Sequence, residues 1–294
     1  MSGIDAPGRL WAGRLGPYGV FRRASWVDAA FAAEIEALGY RTLWLAGSPA
    51  GDLRQPEELL DATTGLVLAT GVINIWQADA AIVAAAYHRI ESSHPGRLLL
   101  GLGVGHPEST GERYRRPYAA VEAYLDELDA FGVPASARVL AALGPRMLAL
   151  SAARAVGAHP YLVTPEHTRR ARALLGQDAL LAPEQKLVAE RDLDEARRIG
   201  RPAIRTPYLE LDNYVRSLRS LGFGDEDVAD PGSDHLVDAL VVSGDRGAQV
   251  AGLAQHLAAG ADHVAVNVVT EAGGAALSVY AGLAARLAAA RVAS

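Results

Sequence analysis

Gly101-Leu102-Gly103-Val104-Gly105-His106 sets three alternating glycines and an imidazole directly behind the apolar run Arg97-Leu98-Leu99-Leu100. Glycines at a strand end let the backbone leave with no side chain in the way, so a ligand can approach the main chain closely. His106 stands at that opening and titrates near neutral pH, which suits it to deliver a proton or hydrogen bond. Glu108 is a weaker candidate acid, better read as solvated. The pattern recurs twice: Leu66 to Thr70 runs into Gly71-Val72-Ile73-Asn74, and Arg138 to Leu143 runs into Gly144-Pro145-Arg146-Met147. Gly144-Pro145 opens a helix whose first amides, with the dipole behind them and Arg146 alongside, form a phosphate site. The plainer reading there is a strand-to-helix turn. Three strands ending in glycine point to one ligand cradled at the carboxyl ends of a parallel sheet.

Other chemistry is excluded or assigned to structure. The chain has no cysteine, which removes thiolate catalysis, disulfides and thiolate metal sites. No His-Glu-x-x-His, close histidine pair or carboxylate triad appears, so no catalytic metal is expected. The Gly101-x-Gly103-x-Gly105 spacing is a poor dinucleotide fingerprint, because no helix starts directly after it. His159 and His263 stand at the beginnings of strands and read as hydrogen-bonded structural groups. His88, His94, His167 and His256 fall on helices or their ends and are expected at the surface. Trp44 reads as core, whereas Trp76 is open between core and a flat-ring contact. Arg113, Tyr114, Arg115 and Arg116 lie in a long loop that reads as a solvated face, with a lid as the alternative.

The 294 residues are 50% hydrophobic and carry a net charge of −6, enough for a large core and too acidic for a nucleic-acid groove. No run is long and apolar enough to span a membrane, and the first residues lack signal-peptide character, so a cytoplasmic location is expected.

The elements that position these groups alternate. Strands are expected in Gly8 to Gly13, Thr42 to Ala46, Leu66 to Thr70, Arg97 to Leu100, Arg138 to Leu143, His159 to Val163, within Leu180 to Ala189, and in Asp262 to Val268. Helices fall between them. One is capped by Ser25 with Asp28 in a capping box and ends before Gly39; others cover Ala78 to Ser93, Pro117 to Gly132 and Arg146 to Val156. Thr164 caps a further helix with Pro165 at its first position. After the seventh strand come helical stretches at Arg191 to Ile199, Leu209 to Leu221 and Arg246 to Ala259, with a polar loop over Gly222 to Asp234. A terminal helix covers Gly273 to Ala293. The expected fold is α/β: a single (β/α)8 TIM-barrel domain over residues 1–294, with a helical insertion between strands seven and eight. An open doubly wound sheet is the competing architecture.

The stretches Ala69-Thr70-Gly71-Val72-Ile73-Asn74-Ile75-Trp76, Arg97 to His106, and Ala142-Leu143-Gly144-Pro145-Arg146-Met147 together resemble the luciferase-like superfamily, in particular its coenzyme F420 (8-hydroxy-5-deazaflavin) dependent oxidoreductases. Gly157 to His167 and Gly260 to Val264 resemble one actinobacterial subgroup of it. The resemblance implies a flavin-like ring across the barrel mouth, a non-proline cis peptide at Gly71-Val72, and phosphate binding at Gly144, Pro145, Arg146 and Met147. It implies hydride transfer between F420 and a small-molecule substrate, with His106 as proton donor. Cofactor contacts are expected at Thr70, Gly71, Val72, Asn74, Gly105, His106 and Thr164. Homodimerisation is implied by analogy. Two departures stand out: Ala46-Gly47-Ser48 occupies the end of strand two, where many relatives carry an acid or histidine, and Val156 stands where many carry Asp. The rivals are an FMN monooxygenase on the same barrel, a non-catalytic flavin-binding protein, and a cofactor-free lyase acting on a sugar phosphate.

Overall fold

Pro7 opens the first regular element, and that element is a helix. The computed structural model describes residues 6–105, 115–271 and 276–292. In it Pro7–Leu15 (α1) is helical with proline at its first position, which corrects the strand expected over Gly8 to Gly13. Trp11 and Leu15 are one helical turn apart and both are buried. A Cβ at Gly8 would stand 2.1 Å from the Asp178 carbonyl oxygen, so only glycine lets this helix lie so close to that stretch of chain.

The alternation then holds: Tyr18–Arg23 (β1), Ala29–Ala37 (α2), Thr42–Ala46 (β2), Arg54–Asp61 (α3), Val67–Gly71 (β3), Ile73–Asn74 (β4), Ala80–Ser93 (α4) and Leu98–Gly103 (β5). Next come Pro117–Ala130 (α5), Arg138–Leu140 (β6), Pro145–Arg154 (α6), Gly157–Ala158 (β7), Pro165–Leu175 (α7), Leu180–Leu181 (β8) and Glu184–Leu187 (β9). Leu193–Arg205 (α8), Asp212–Ser220 (α9), Asp225–Val228 (α10) and Asp234–Leu240 (α11) precede Val241–Val242 (β10), Arg246–Ala258 (α12), Val264–Val268 (β11) and Ala276–Val292 (α13). The cap of α2 is Asp28, whose carboxylate accepts from Phe31 N at 2.8 Å, and not Ser25, which lies in a 3-10 turn. Asp28 stands next to the first helical residue, where its oxygen reaches the orphan amides.

All strand pairs are parallel, in the order β10-β9-β11-β1-β2-β3-β5-β6-β7-β8, with β4 also on β5. The stretch from Leu180 to Leu187 is paired on both sides. Ala182 N bonds Ala158 O at 3.0 Å on one side, and Ala265 N bonds Pro183 O at 2.9 Å on the other. The sheet curls until its two ends meet on this one stretch of chain, in the manner of a TIM barrel. Inside the curl lie Trp11, Leu15, Phe21, Trp44, Val67, Ala69, Leu99, Val139, Leu180 and Ala265, so α1 plugs the amino end. Outside it, Val20, Leu43, Leu45, Leu68, Leu98 and Leu100 pack with Ile35, Val83, Ile90 and Leu125 of the helices. Burial on both strand faces explains why the strands read as continuous apolar runs. Helices α8 to α11 lie between β9 and β11 and build a core of their own around Ile204, Tyr214, Leu218, Leu236 and Leu240. The loop expected over Gly222 to Asp234 contains the short α10. Among the described residues, no helix is long and apolar enough to cross a membrane.

Candidate functional site

The carboxyl ends of the strands form a mouth with two unlike halves. One half is built from main chain and small side chains. The peptide Gly71-Val72 is cis, as the sequence resemblance implies. Beyond it β4 pairs with Leu102 and Gly103. Gly101 and Gly103 therefore lie within β5, not after it, and their role differs from the one expected. A Cβ at Gly101 would stand 1.8 Å from Thr70 O, and one at Gly103 would stand 2.8 Å from Val72 Cγ2. These glycines let β5 approach the turn at Thr70 to Asn74. Gly105 has φ +58°, and a Cβ there would lie 2.4 Å from Asn74 Nδ2. Glycine is required at 105 on both counts.

Thr70 and Asn74 hold this half rigid. The Thr70 hydroxyl donates to Gly101 O at 2.9 Å and receives Gly101 N at 2.8 Å, both buried. Its donor is spent inside the protein. Asn74 Oδ1 accepts from Trp76 N at 3.0 Å and fixes the following turn. Trp76 is half-buried against the outer core, and Trp44 is wholly buried, as expected.

Gly144 behaves differently. It caps α6 with φ −93°, no side-chain cap is made, and nothing lies within 4 Å of where its Cβ would be. Neither backbone conformation nor a protein neighbour requires glycine there. Pro145 has no amide, and Met147 N and Leu148 N are claimed by Gly144 O at 3.1 and 3.0 Å. The Gly144 and Arg146 amides make no hydrogen bond among the described residues. The Arg146 guanidinium lies 4.4 Å from the centre of the Tyr118 ring, which holds its charge beside the turn. Thr164 caps α7, its hydroxyl oxygen accepting from His167 N at 3.4 Å. His167 is buried and its Nε2 donates to Leu143 O at 2.8 Å, so the starts of α6 and α7 are tied side by side. This corrects the surface position expected for His167. His256 is also buried, between Thr168 Oγ1 at 2.7 Å and Gln185 Oε1 at 2.7 Å, for it faces the sheet side of α12. His88 is exposed and His94 half-buried.

The second half of the mouth is polar and aromatic. Glu184 and Lys186 alternate inward from β9, each 1% exposed, with Lys186 Nζ 3.1 Å from Glu184 Oε1. Asn267 of β11 donates to the same oxygen at 2.7 Å. The ammonium lies 3.9 Å from the centre of the Tyr161 ring and 5.5 Å from that of Tyr208. Burial pushes the Tyr161 and Tyr208 hydroxyls far above the ordinary phenol range, so both stay protonated. Tyr208 belongs to the helices between β9 and β11 and reaches the mouth through this ring pair, 5.2 Å from Tyr161. None of Glu184, Lys186, Tyr161 or Tyr208 was singled out from sequence. The signal was present in Glu184-Gln185-Lys186, three polar residues in a strand whose neighbours are apolar on both faces.

His159 and His263 line the interior. His263 is bonded at both nitrogens, to Gly16 O at 2.6 Å and Trp44 Nε1 at 3.0 Å, as a structural histidine should be. His159 follows β7 and so sits at the carboxyl end, not the amino end expected for it. The difference arises because β7 is formed by Gly157 and Ala158. His106, Glu108, Arg113 and Tyr114 lie outside the described residues, whereas Arg115 and Arg116 are exposed. No group of three or more metal-ligating side chains occurs among the described residues.

No protein-family model and no curated protein sequence matches the chain. Solved structures do. An F420-dependent secondary alcohol dehydrogenase in complex with an F420–acetone adduct is 12% identical, with 91% of this chain and 96% of that one covered and a TM-score of 0.67. The coenzyme F420 dependent tetrahydromethanopterin reductase from Methanopyrus kandleri is 15% identical over 91% and 97%, with a TM-score of 0.64. The oxygenating constituent of 3,6-diketocamphane monooxygenase from Pseudomonas putida, in complex with FMN, is 12% identical over 91% and 95%, with a TM-score of 0.67. The chain shares the fold of F420-dependent oxidoreductases and FMN-bound monooxygenases, the fold its sequence resemblance implies.

Proposed function

We propose that the chain is a luciferase-like oxidoreductase that transfers a hydride between coenzyme F420 and a small organic substrate. The observation that carries this reading is the start of α6. Gly144 is a helix N-terminus with no side-chain cap, open space where a side chain would stand, amides at Gly144 and Arg146 without a partner among the described residues, and Arg146 held beside it. That donor set suits a phosphate. The main-chain surface from Gly71 to Asn74 and Gly103 to Gly105 offers a flat, rigid bed next to β6 and α6 for the ring attached to that phosphate. The solved structures of like fold with F420 and FMN in their names support the same reading.

In this reading the helices between β9 and β11 are an insertion into a (β/α)8 barrel, and the whole chain is one domain. The deazaflavin supplies the hydride chemistry when bound. Gly144, Pro145, Arg146, Met147 and Thr164 hold its phosphate end, while Gly71, Val72 and Gly105 face its ring. Thr70 and Asn74 fix those segments from beneath. Glu184, Lys186 and Asn267 form a neutral, internally paired wall that excludes water from the opposite side. His106 delivers the proton that accompanies hydride transfer to a carbonyl carbon.

The FMN-bound neighbour favours a second reading, a monooxygenase that uses reduced flavin and oxygen. Fluorescence titration with coenzyme F420 and, separately, with FMN distinguishes them. Micromolar affinity for F420 alone is the expected result. Preference for FMN moves the assignment to the monooxygenase, and binding of neither refutes both.

A further inference from the structure

His159 is followed by a proline, and that pair of residues fixes the state of its ring. In the parallel ladder between β7 and β8, Ala182 N bonds Ala158 O at 3.0 Å and Glu184 N bonds Pro160 O at 2.9 Å. The remaining partner in this register would be an N–H at position 160 donating to Ala182 O. Proline has none. The His159 ring fills the gap, with Nδ1 2.6 Å from Ala182 O. A carbonyl only accepts, so Nδ1 carries the proton and Nε2 presents a bare lone pair.

The lone pair has no partner. His159 is 2% exposed, and Nε2 makes no hydrogen bond among the described residues. The ring cannot turn away, because it lies flat on Trp44 with centroids 4.1 Å apart and planes 12° apart. Phe21 closes a further side at 5.8 Å. Gly71 lies on the Nε2 side: a Cβ there would stand 3.5 Å from Nε2 and 2.7 Å from Phe21 Cε2, so only glycine fits beside these rings. Burying an acceptor without a partner is costly, and such a group calls for an explanation. His263, equally buried in the same interior, has both nitrogens satisfied.

We propose that His159 Nε2 is a preset hydrogen-bond acceptor for a neutral N–H or O–H group of a ligand bound against Gly71 in the mouth. The inference rests on the reading of this mouth as the redox site. It adds a recognition residue at the end of β7, the strand next to the one that leads into the α6 turn. Burial holds the imidazole near a pKa of about 4, so the acceptor persists through the neutral range and does not itself supply a proton. The donor belongs either to the cofactor ring or to the hydroxyl of an alcohol substrate.

The test is nitrogen NMR of the full chain with 15N-labelled histidine, the His159 signal being assigned by its loss in His159→Phe. Coenzyme F420 alone, FMN alone and then 2-propanol are added in turn, with cofactor binding followed separately by fluorescence. An upfield move of the Nε2 resonance on adding a cofactor assigns the donor to the cofactor, and a move only with 2-propanol assigns it to the substrate. No move with any probe overturns the inference. In that case fluorescence shows whether the redox reading survives (binding seen) or falls as well (none seen). A second arm uses Pro160→Ala, which returns a backbone donor to Ala182. In that background His159→Phe removes the ring nitrogens at similar shape. The expected result is an unchanged or higher urea midpoint, with ligand affinity weakened about three- to tenfold. A lower midpoint shows that Nε2 serves the fold, and overturns the inference.

Discussion

Lys186→Met tests the polar half of the mouth most directly. The Lys186 ammonium stands 3.1 and 3.3 Å from the two Glu184 oxygens, and both side chains are 1% exposed. At 3.1 Å the attraction is about 5 kcal/mol for an effective dielectric constant of about 20. Each buried ion has lost several kcal/mol of hydration, so the intact pair adds little net stability, while one ion left alone is expensive. Methionine keeps the length of the side chain and a favourable contact with the Tyr161 ring. The loss is therefore mainly that of the cation. We expect a cost of about 3 kcal/mol, at the low end of the range of roughly 3–5 for breaking a buried pair. The low end applies because Asn267 Nδ2 still donates to Glu184 at 2.7 Å. Urea unfolding followed by tryptophan fluorescence reads the change, since Trp44 is wholly buried in the folded chain. Glu184→Gln combined with Lys186→Met removes both charges and keeps an acceptor for Asn267. The double variant should return to within about 1 kcal/mol of the parent. A single variant that loses less than about 1 kcal/mol, or a double variant no better than the single, would refute the charge argument.

Four other predictions follow from the mouth and the core. Gly101→Ala places a Cβ 1.8 Å from Thr70 O, against backbone that cannot yield cheaply, and should destabilise by at least the roughly 1–3 kcal/mol of core overpacking. Gly144→Ala meets nothing within 4 Å and should change the unfolding free energy by less than about 1 kcal/mol, while weakening F420 binding at least tenfold; equal affinity would sink the phosphate assignment. Arg146→Ala should weaken the same binding by about 10- to 100-fold, with little effect on folding, as its side chain is exposed. Finally, burial lowers His159, His256 and His263 to about 4. The unfolded chain protonates them near 6.5. Their contribution is complete above about pH 6.5 and falls as pH drops toward 4, by about 1.4 kcal/mol per pH unit for each histidine. Equal urea midpoints at pH 7.5 and pH 5 would contradict this.

Part of the mouth was legible in the sequence because its signals are local. Thr42 to Ala46 and Leu66 to Thr70 are apolar on both faces, and a parallel sheet covered on both sides requires that. Thr164-Pro165 reads as a helix start from two residues, and its cap bond to His167 N is present. The Gly144-Pro145 turn is likewise a local device. Errors came where tertiary contact overrode the local pattern. Gly101 and Gly103 looked like a break after a strand, yet they lie within β5, since their glycine character serves the close approach of the Thr70 to Asn74 turn. The Gly8 to Gly13 stretch looked like a strand because it is short and apolar, but its Trp11 to Leu15 spacing places both side chains inside the barrel's amino end.

What the sequence determined by itself was the alternation, most of the strands and the glycine turns, all set by backbone freedom and by which faces must leave water. What the tertiary structure decided was who meets whom. Glu184 and Asn267 are 83 residues apart, yet share a hydrogen bond only because β9 and β11 pair in one register. His159 Nδ1 meets the Ala182 carbonyl only because Pro160 withholds a backbone donor from it, more than twenty residues further along the chain. His167 and His256 became core because the helices that carry them turn those faces toward the sheet. Side-chain periodicity is written in a few consecutive residues, but pairing register and ring orientation depend on neighbours that the chain brings together only when it curls.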